Sequence, residues 1–355
     1  VILRSITTQS FRNLQPATTE FHPRTNLVVG RNGQGKTNLL ESIYFLATTK
    51  SFRTARVQNV VRFDDANVFV SGLLQREAIE RTLSVGQEIG ESKRRVLMIN
   101  EQRVTLSAYV SAMTLFAYSA ARLEIIHGAP EERRRFLDRG IASIDPTYLE
   151  AMSRYARVLR QRNALLHGGT TAGLDAWDAE LVAAGSVLQR ARAAYTQMLA
   201  EEFARIVAEH GYHVRDVELR YRPSSVGDIS KLRRDELRAR VSLAGPQRDQ
   251  LEFSVSGRVA AEVLSGGEQK MIVLFLKFAK LELFRRRFDE AAIFLLDDVD
   301  AELDLEILES LLLKMPRETQ VFATSAKERF LRSLEAGPHR RLLLENGRVT
   351  ASNES

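Results

Sequence analysis

Gly30-Arg31-Asn32-Gly33-Gln34-Gly35-Lys36-Thr37 has the spacing G-x-x-x-x-G-K-[ST], that of a phosphate-gripping P-loop. Its glycines leave room for backbone N–H groups to face an anion, and the helix that follows points its positive end the same way. Lys36 supplies a compact charge for β- and γ-phosphates, and Thr37 a hydroxyl for Mg²⁺. Farther on, the apolar run Ile293-Phe294-Leu295-Leu296 ends in Asp297 and Asp298. Adjacent carboxylates at a strand end are costly unless a cation sits there. Asp297 is therefore read as the Mg²⁺ ligand, directly or through water, and Asp298 as the general base that orients the attacking water. A third phrase, Leu264-Ser265-Gly266-Gly267-Glu268, places a hydroxyl and amides just before an apolar helix, Glu268 to Phe284. That is another anion site. Ser265 and Glu268 also fit the S-x-x-E capping box, but capping does not explain the paired glycines. A P-loop match arises by chance in roughly one chain of this size in a hundred, and L-S-G-G-E in about one in a thousand. Together, in this order, they describe an ATPase that binds nucleotide between two protein surfaces, with Lys36, Asp298 and Ser265 as its catalytic residues.

The flanking sequence supplies the elements such a loop needs. Ile2 to Thr8 alternates as a strand does, Phe11-Arg12-Asn13 turns, and Thr25 to Val29 is a short apolar run entering the P-loop. Helical periodicity begins at Lys36 and continues through Leu39, Leu40, Ile43, Tyr44 and Leu46. From Val57 to about Val104 the chain reads as short β segments beside the P-loop, with a turn at Asn100-Glu101-Gln102. Composition changes near Tyr118, and from Pro130 to about His210 the pattern is helical, broken at Gly168-Gly169 and Gly173. A strand returns at Val214 to Leu219 and a charged helix at Asp228 to Val241. The carboxylate strand and a last strand, Gln320 to Thr324, complete the pattern. These elements predict an α/β fold interrupted by an insertion: a head of residues 1–117 plus 242–355 and a mainly helical lobe of residues 118–241.

Bulk properties bound the partners. The 355 residues carry a net charge of +6, with no cysteine, six scattered histidines and 44% hydrophobic residues. Disulfides and thiolate metal sites are excluded, which fits a reducing compartment such as the cytoplasm. No apolar run approaches a membrane span. The chain opens at Val1 instead of Met, without a charged-then-apolar leader. A modest basic surplus suits a polyanion.

The P-loop, the L-S-G-G-E phrase and Asp297-Asp298 followed by Ala301-Glu302-Leu303-Asp304 resemble the ATP-binding-cassette head ATPases. Within that group the chain resembles the RecF family of bacterial recombination mediators along nearly its whole length. The carrying phrases are Phe11-Arg12-Asn13, Lys50-Ser51-Phe52-Arg53, Gly128-Ala129-Pro130, Arg133 to Asp138, Gly245-Pro246-Gln247-Arg248-Asp249 and Glu345-Asn346-Gly347. The resemblance implies an ABC-type head, a P-loop mixed sheet with an antiparallel β layer. It implies that ATP on the P-loop of one subunit, bound by residues Gly30 to Thr37, is clamped by Ser265, Gly266 and Gly267 of another. Two ATP would then close a homodimer. Asp304 would cross that interface, and Arg12 and Asn13 would lie near the phosphates. It implies ATP and Mg²⁺ as cofactors, weak DNA-dependent ATP hydrolysis used as a switch, and action at double-stranded DNA and single-strand gap junctions. RecR, with RecO, is the implied partner, and RecA the recombinase loaded in consequence.

Departures from the wider group are also legible. Transporter members carry a His after the last strand, where this chain reads Phe322-Ala323-Thr324-Ser325-Ala326, so Thr324 is a candidate in its place. The glutamine that transporters use for Mg²⁺ has no counterpart in Phe116-Ala117-Tyr118-Ser119. Asp298 stands where many relatives have Glu, and its shorter reach suggests slow turnover. A transporter ATPase subunit or a chromosome-maintenance (SMC-type) head are the competing readings. The missing His and the inserted lobe argue against the first, and the shortness of the insertion, with no long coiled coil, against the second. For DNA phosphates the basic candidates are Lys50, Arg53 and Arg56; Lys93, Arg94 and Arg95; Arg133 to Arg135; and Arg154, Arg157, Arg160 and Arg162. The last group recurs at helical spacing and reads as one stripe. Aromatics are not interleaved with these charges, which favours backbone contact to duplex over base stacking.

Overall fold

The structure is a computed structural model that describes residues 1–54, 56–89, 94–120, 122–214, 216–224, 229–290, 292–299, 303–325, 332, 335 and 337–354. In chain order its elements are β1 (Ile2–Gln9), β2 (Ala17–Glu20), β3 (Thr25–Val29), α1 (Lys36–Thr48), β4 (Asn67–Arg76), β5 (Ile79–Glu88), β6 (Arg95–Ile99), β7 (Gln102–Arg103), α2 (Leu106–Ser111) and β8 (Leu115–Ser119). Next come α3 (Glu124–His127), α4 (Pro130–Ile144), α5 (Tyr148–His167), α6 (Leu174–Glu209), β9 (Val217–Arg222), α7 (Arg233–Ala239), β10 (Gln250–Val255), β11 (Arg258–Val259) and α8 (Ala260–Val263). The chain closes with α9 (Gly266–Phe288), β12 (Ile293–Asp297), α10 (Leu305–Leu313), β13 (Gln320–Thr324), β14 (His339–Glu345) and β15 (Arg348–Glu354). It divides into two compact units, Val1–Arg122 with Gly266–Ser355, and Leu123–Ser265.

The first unit holds two sheets. One runs β2-β1-β4-β5-β6-β7 and is antiparallel throughout. The other runs β15-β14-β3-β13-β12-β8, with β14, β3, β13, β12 and β8 parallel. The inner strands β12 and β13 are buried at every residue, as the central strands of a covered parallel sheet must be. Helix α1 is buried from Leu39 to Ala47 and packs on strands of both sheets, so it is apolar nearly all round. Parallel strands end together. The P-loop after β3, Asp297 at the end of β12, Thr324 at the end of β13 and Ser119 at the end of β8 therefore share one edge. The carboxyl ends of parallel strands are where such folds bind ligands.

Two expectations for this unit need correction. Gln320–Thr324 is not the last strand, because β14 and β15 follow and β14 pairs with β3 itself. The glycines of the L-S-G-G-E phrase do not precede their helix; Gly266 and Gly267 form its first turn.

The second unit is built on α4, α5 and the 36-residue α6, with a small sheet β11-β10-β9. The returning strand lies at Val217–Arg222 instead of Val214 to Leu219, and the charged helix is only Arg233–Ala239, after a short 3-10 turn at Ile229–Leu232. Asp228, its expected start, lies outside the described residues. The unit runs past residue 241 to Ser265 because β10 pairs with β9 along its whole length.

Candidate nucleotide-binding and hydrolysis site

The loop Gly30 to Gly35 needs its glycines for backbone reasons. Gly30, Gly33 and Gly35 have φ of 144°, 81° and 110°, in the region that side chains disfavour. A Cβ on Gly30 would stand 2.4 Å from the Leu344 carbonyl oxygen of β14. Gly35 opens α1, and the Leu39 N–H donates to its carbonyl at 2.9 Å. Lys36 folds back over the loop, its Nζ donating to the carbonyls of Gly30 (2.7 Å) and Arg31 (3.1 Å). Arg31, Asn32 and Gly33 are exposed.

The loop is braced from two sides. Asn13 Nδ2 donates to the Gly33 carbonyl at 3.3 Å, while Asn38 Nδ2 donates to Asn13 Oδ1 at 2.7 Å. On the other side the turn between β14 and β15 grips Gln34. The Gly347 N–H donates to the Gln34 carbonyl at 2.9 Å, and the Asn346 N–H to its Oε1. Arg12 forms a bidentate pair with Glu41 of α1 at 2.8 and 3.0 Å. Glu41 is fully buried and also accepts from the Ser51 hydroxyl. Arg53 joins the same group, donating to Asn38 Oδ1 at 2.6 Å with Glu41 Oε2 at 3.6 Å. Arg12 and Arg53 thus clamp the P-loop helix from segments on either side of it. Asn38, Glu41, Ser51 and the Asn346-Gly347 turn take part in the site without having been read as site residues. Only the turn carried a signal, an Asn-Gly pair between apolar runs, which marks a hairpin.

At the strand ends the carboxylates differ in setting. Asp297 is buried and Asp298 exposed. Asp297 Oδ1 accepts from Thr324 Oγ1 at 3.0 Å and Oδ2 from Ser119 Oγ at 3.3 Å, and the Thr37 hydroxyl lies near enough to act on the same carboxylate. Burial pushes the Asp297 pKa up, and the charge of Asp298 adds to the push. The hydroxyls of Thr37, Thr324 and Ser119 pull the other way. Thr37 and Asp297, the residues expected to share Mg²⁺, are therefore neighbours, and a cation between them would relieve the cost of the buried carboxylate. Among the described residues no group of His, Cys, Asp and Glu is large enough to hold a metal unaided. This donor set suits Mg²⁺, which commonly takes one or two carboxylates and completes its shell with phosphate oxygens and water. Ser119 also went unread, since its part depends on β8 lying beside β12 with Asp297 opposite it.

Ser265, immediately before α9, and Gly266 are exposed. The first N–H groups of a helix have no partner within it, and Gly266 and Gly267 carry no side chain to cover them. Asp304 is exposed and caps α10, its Oδ1 accepting from Glu306 N (3.1 Å) and Ile307 N (3.3 Å). Ala301, Glu302 and Ala326 of the phrases quoted above lie outside the described residues.

The basic residues differ in exposure and in the partners they hold. Arg133 donates to the carbonyls of Ile126 (2.9 Å) and Leu251 (3.3 Å), and Arg134 to that of Asp249 (2.9 Å). Both are half-buried and spent on holding the second unit together. Arg162 is fully buried, paired with Glu236 and Asp178 at 2.6 Å. It projects from the opposite side of α5 to the stripe. Arg154 pairs with Glu180 at 2.8 Å and Arg135 with Glu131. Arg157 and Arg160 remain exposed on α5, and Arg53 and Arg56 are exposed in the first unit. Lys93 lies outside the described residues. A buried network in the second unit was not foreseen. Arg192 of α6 binds Asp138 at 2.9 Å and Asp249 at 2.8 Å, joining two phrases noted separately in the sequence. Among the described residues no helix is long and apolar enough to cross a membrane.

Comparison with known proteins gives one consistent answer. A family model described as RecF/RecN/SMC N terminal domain matches residues 2–339. The DNA replication and repair protein RecF of Geotalea daltonii is 34% identical over 98% of this chain and 99% of its own length. A solved structure of the recombination mediator protein RecF with ATP, from the RecFOR pathway, superposes with a TM-score of 0.88 at 25% identity, covering 100% of this chain and 97% of the other. An SMC head bound to a winged-helix domain of ScpA shares the fold, with a TM-score of 0.58 at 15% identity.

Proposed function

The chain belongs to the RecF family, within the RecF/RecN/SMC N terminal domain group, and from that premise we propose that it is an ATP-dependent DNA-binding protein of recombinational gap repair. ATP occupies the P-loop, with Lys36 on the phosphates. Thr37 and Asp297 hold Mg²⁺, which neutralises phosphate charge, and Asp298 orients the attacking water. Ser265, Gly266 and Gly267 of a second copy close over the nucleotide, so that ATP joins two protomers and slow hydrolysis parts them. Asp304 reaches across the same interface while capping its own helix. The inserted lobe carries DNA contacts at Arg157 and Arg160, with Arg53 and Arg56 contributing from the head. The dimer binds duplex DNA and gap junctions in the cytoplasm and, with RecR and RecO, promotes loading of RecA. DNA stimulates its hydrolysis, which works as a switch.

One observation carries this reading. The P-loop, Thr37, Asp297 and Asp298 converge at one strand edge while the Ser265 phrase stands exposed, as a clamp for another molecule's ligand would. Sizing the protein with and without ATP tests it. Wild type is expected to dimerise only with ATP. Lys36→Met should lose ATP binding, and Ser265→Arg should bind ATP yet stay monomeric. A dimer indifferent to nucleotide would overturn the scheme.

A further inference from the structure

The Thr324 hydroxyl serves two neighbours at once. It donates to Asp297 Oδ1 at 3.0 Å and accepts the backbone N–H of Asp298 at 2.8 Å. Asp298 has φ of 52°, the left-handed region that a non-glycine residue enters at a cost. Its side chain is exposed, with no packing to fix where the carboxylate points. Thr324 itself is 2% exposed at the end of β13, and Leu296↔Ala323 pairing of β12 with β13 sets it beside the carboxylates. A buried, register-locked hydroxyl is a rigid reference point, whereas a left-handed turn at a strand end is soft. The hydroxyl has one proton to give, and Asp297 is the acceptor that takes it. Its lone pair is thereby aimed at the Asp298 amide.

We propose that Thr324 is a positioning residue: its hydroxyl latches the backbone of Asp298 in the left-handed conformation and couples that conformation to the Asp297 carboxylate. The role differs from direct contact with a γ-phosphate. The hydroxyl's single proton, which a phosphate oxygen would need, is already given to Asp297. A cation that draws on Asp297 would be felt at the Asp298 backbone through one oxygen atom, so loading of the site and aim of the base are linked. The proposal rests on the reading of Asp298 as the base that orients water.

The test uses the full chain and two readouts. Thr324→Val keeps the shape and removes the hydroxyl; Thr324→Ser keeps the hydroxyl and removes a methyl. In nucleotide-free protein, hydrogen exchange at the Asp298 amide should be slow in wild type and in Thr324→Ser, and faster by about tenfold or more in Thr324→Val. With ATP and Mg²⁺, single-turnover hydrolysis should fall by about a hundred-fold in Thr324→Val, the cost of a misplaced catalytic group. Affinity for ATP should be unchanged, and Thr324→Ser should restore the rate. Free exchange at the wild-type Asp298 amide overturns the latch without any variant, and so settles the matter even if Thr324→Val does not fold. So does a wild-type rate in Thr324→Val, failure of Ser to rescue, or an affinity loss that matches the rate loss. If wild type binds no ATP, the nucleotide reading fails instead, and the exchange measurement still judges the latch.

Discussion

At the scale of single residues, the site holds a carboxylate under stress. Asp297 is buried, and its pKa is raised first by that burial. In the apo protein the sign follows from linkage. A folded-state pKa above that of an unfolded carboxylate means the native state binds more protons than the unfolded chain in the window between the two. Stability therefore declines as pH climbs through the window, and the full cost is present above it. Asp297→Asn removes the charge and keeps the shape. We expect the nucleotide-free, metal-free variant to melt higher than wild type on the alkaline side of that window, with the gap closing as pH falls through it. Its Mg²⁺-dependent hydrolysis should be lost. Calorimetry across pH checks the first part; equal melting temperatures on the alkaline side would mean the hydroxyls already cancel the burial. Residues whose chemistry is contiguous in the chain, such as Lys36 and Thr37, were legible in the sequence. Ser119 and Thr324 were not identified as carboxylate ligands, since strand register brings them there, in one case across 178 residues. Arg162 was misread for a related reason: spacing places a residue on a helix face, but only the neighbours Glu236 and Asp178 show that this face is inside.

At the scale of elements, the C-terminal hairpin is an unforeseen part of the nucleotide loop's support. Gly347, at φ 77°, donates to Gln34 and accepts from the Gln15 N–H at 2.8 Å; a Cβ there would fall 1.9 Å from the Asn13 carbonyl oxygen. Gly257, at φ 75° in the β10–β11 hairpin, has nothing within 4 Å of its would-be Cβ. The two glycines separate conformational cost from crowding. Gly257→Ala should lose about 1 kcal/mol of stability and leave ATP affinity alone. Gly347→Ala should lose more and also weaken ATP binding by roughly tenfold, because the backbone that must move holds the P-loop on both flanks. Fluorescent-nucleotide titration distinguishes them, and equal ATP affinity in both variants would remove the hairpin from the site. The strand-loop-helix core, the antiparallel layer and the helical stretch were legible from period and turn chemistry. The hairpin is marked locally only by Asn346-Gly347, and its place beside β3 depends on a parallel pairing across more than 300 residues of chain, as His339 lies opposite Thr25. Nothing local announced that Asp138, Arg192 and Asp249 would meet, each lying on a different segment of the second unit.

At the scale of the whole molecule, net charge predicted a polyanionic partner but not which arginines would face it. Burial narrows the choice. Replacing exposed Arg157 and Arg160 together with Ala should weaken DNA binding at every sequence and reduce the slope of log affinity against log salt by about 2. Arg133→Ala should instead lower thermal stability, since it holds the Ile126 and Leu251 carbonyls. A salt slope unchanged in the double variant would move the DNA surface off α5. The polypeptide passes between its units at Arg122–Leu123 and again at Ser265–Gly266. The first crossing follows within a few residues of Ser119, which touches the buried carboxylate; the second falls inside the L-S-G-G-E phrase. Both covalent connections of the second unit thus lie within a few residues of the candidate nucleotide site in the chain, so a cut in either would sever sequence next to a residue proposed to act there.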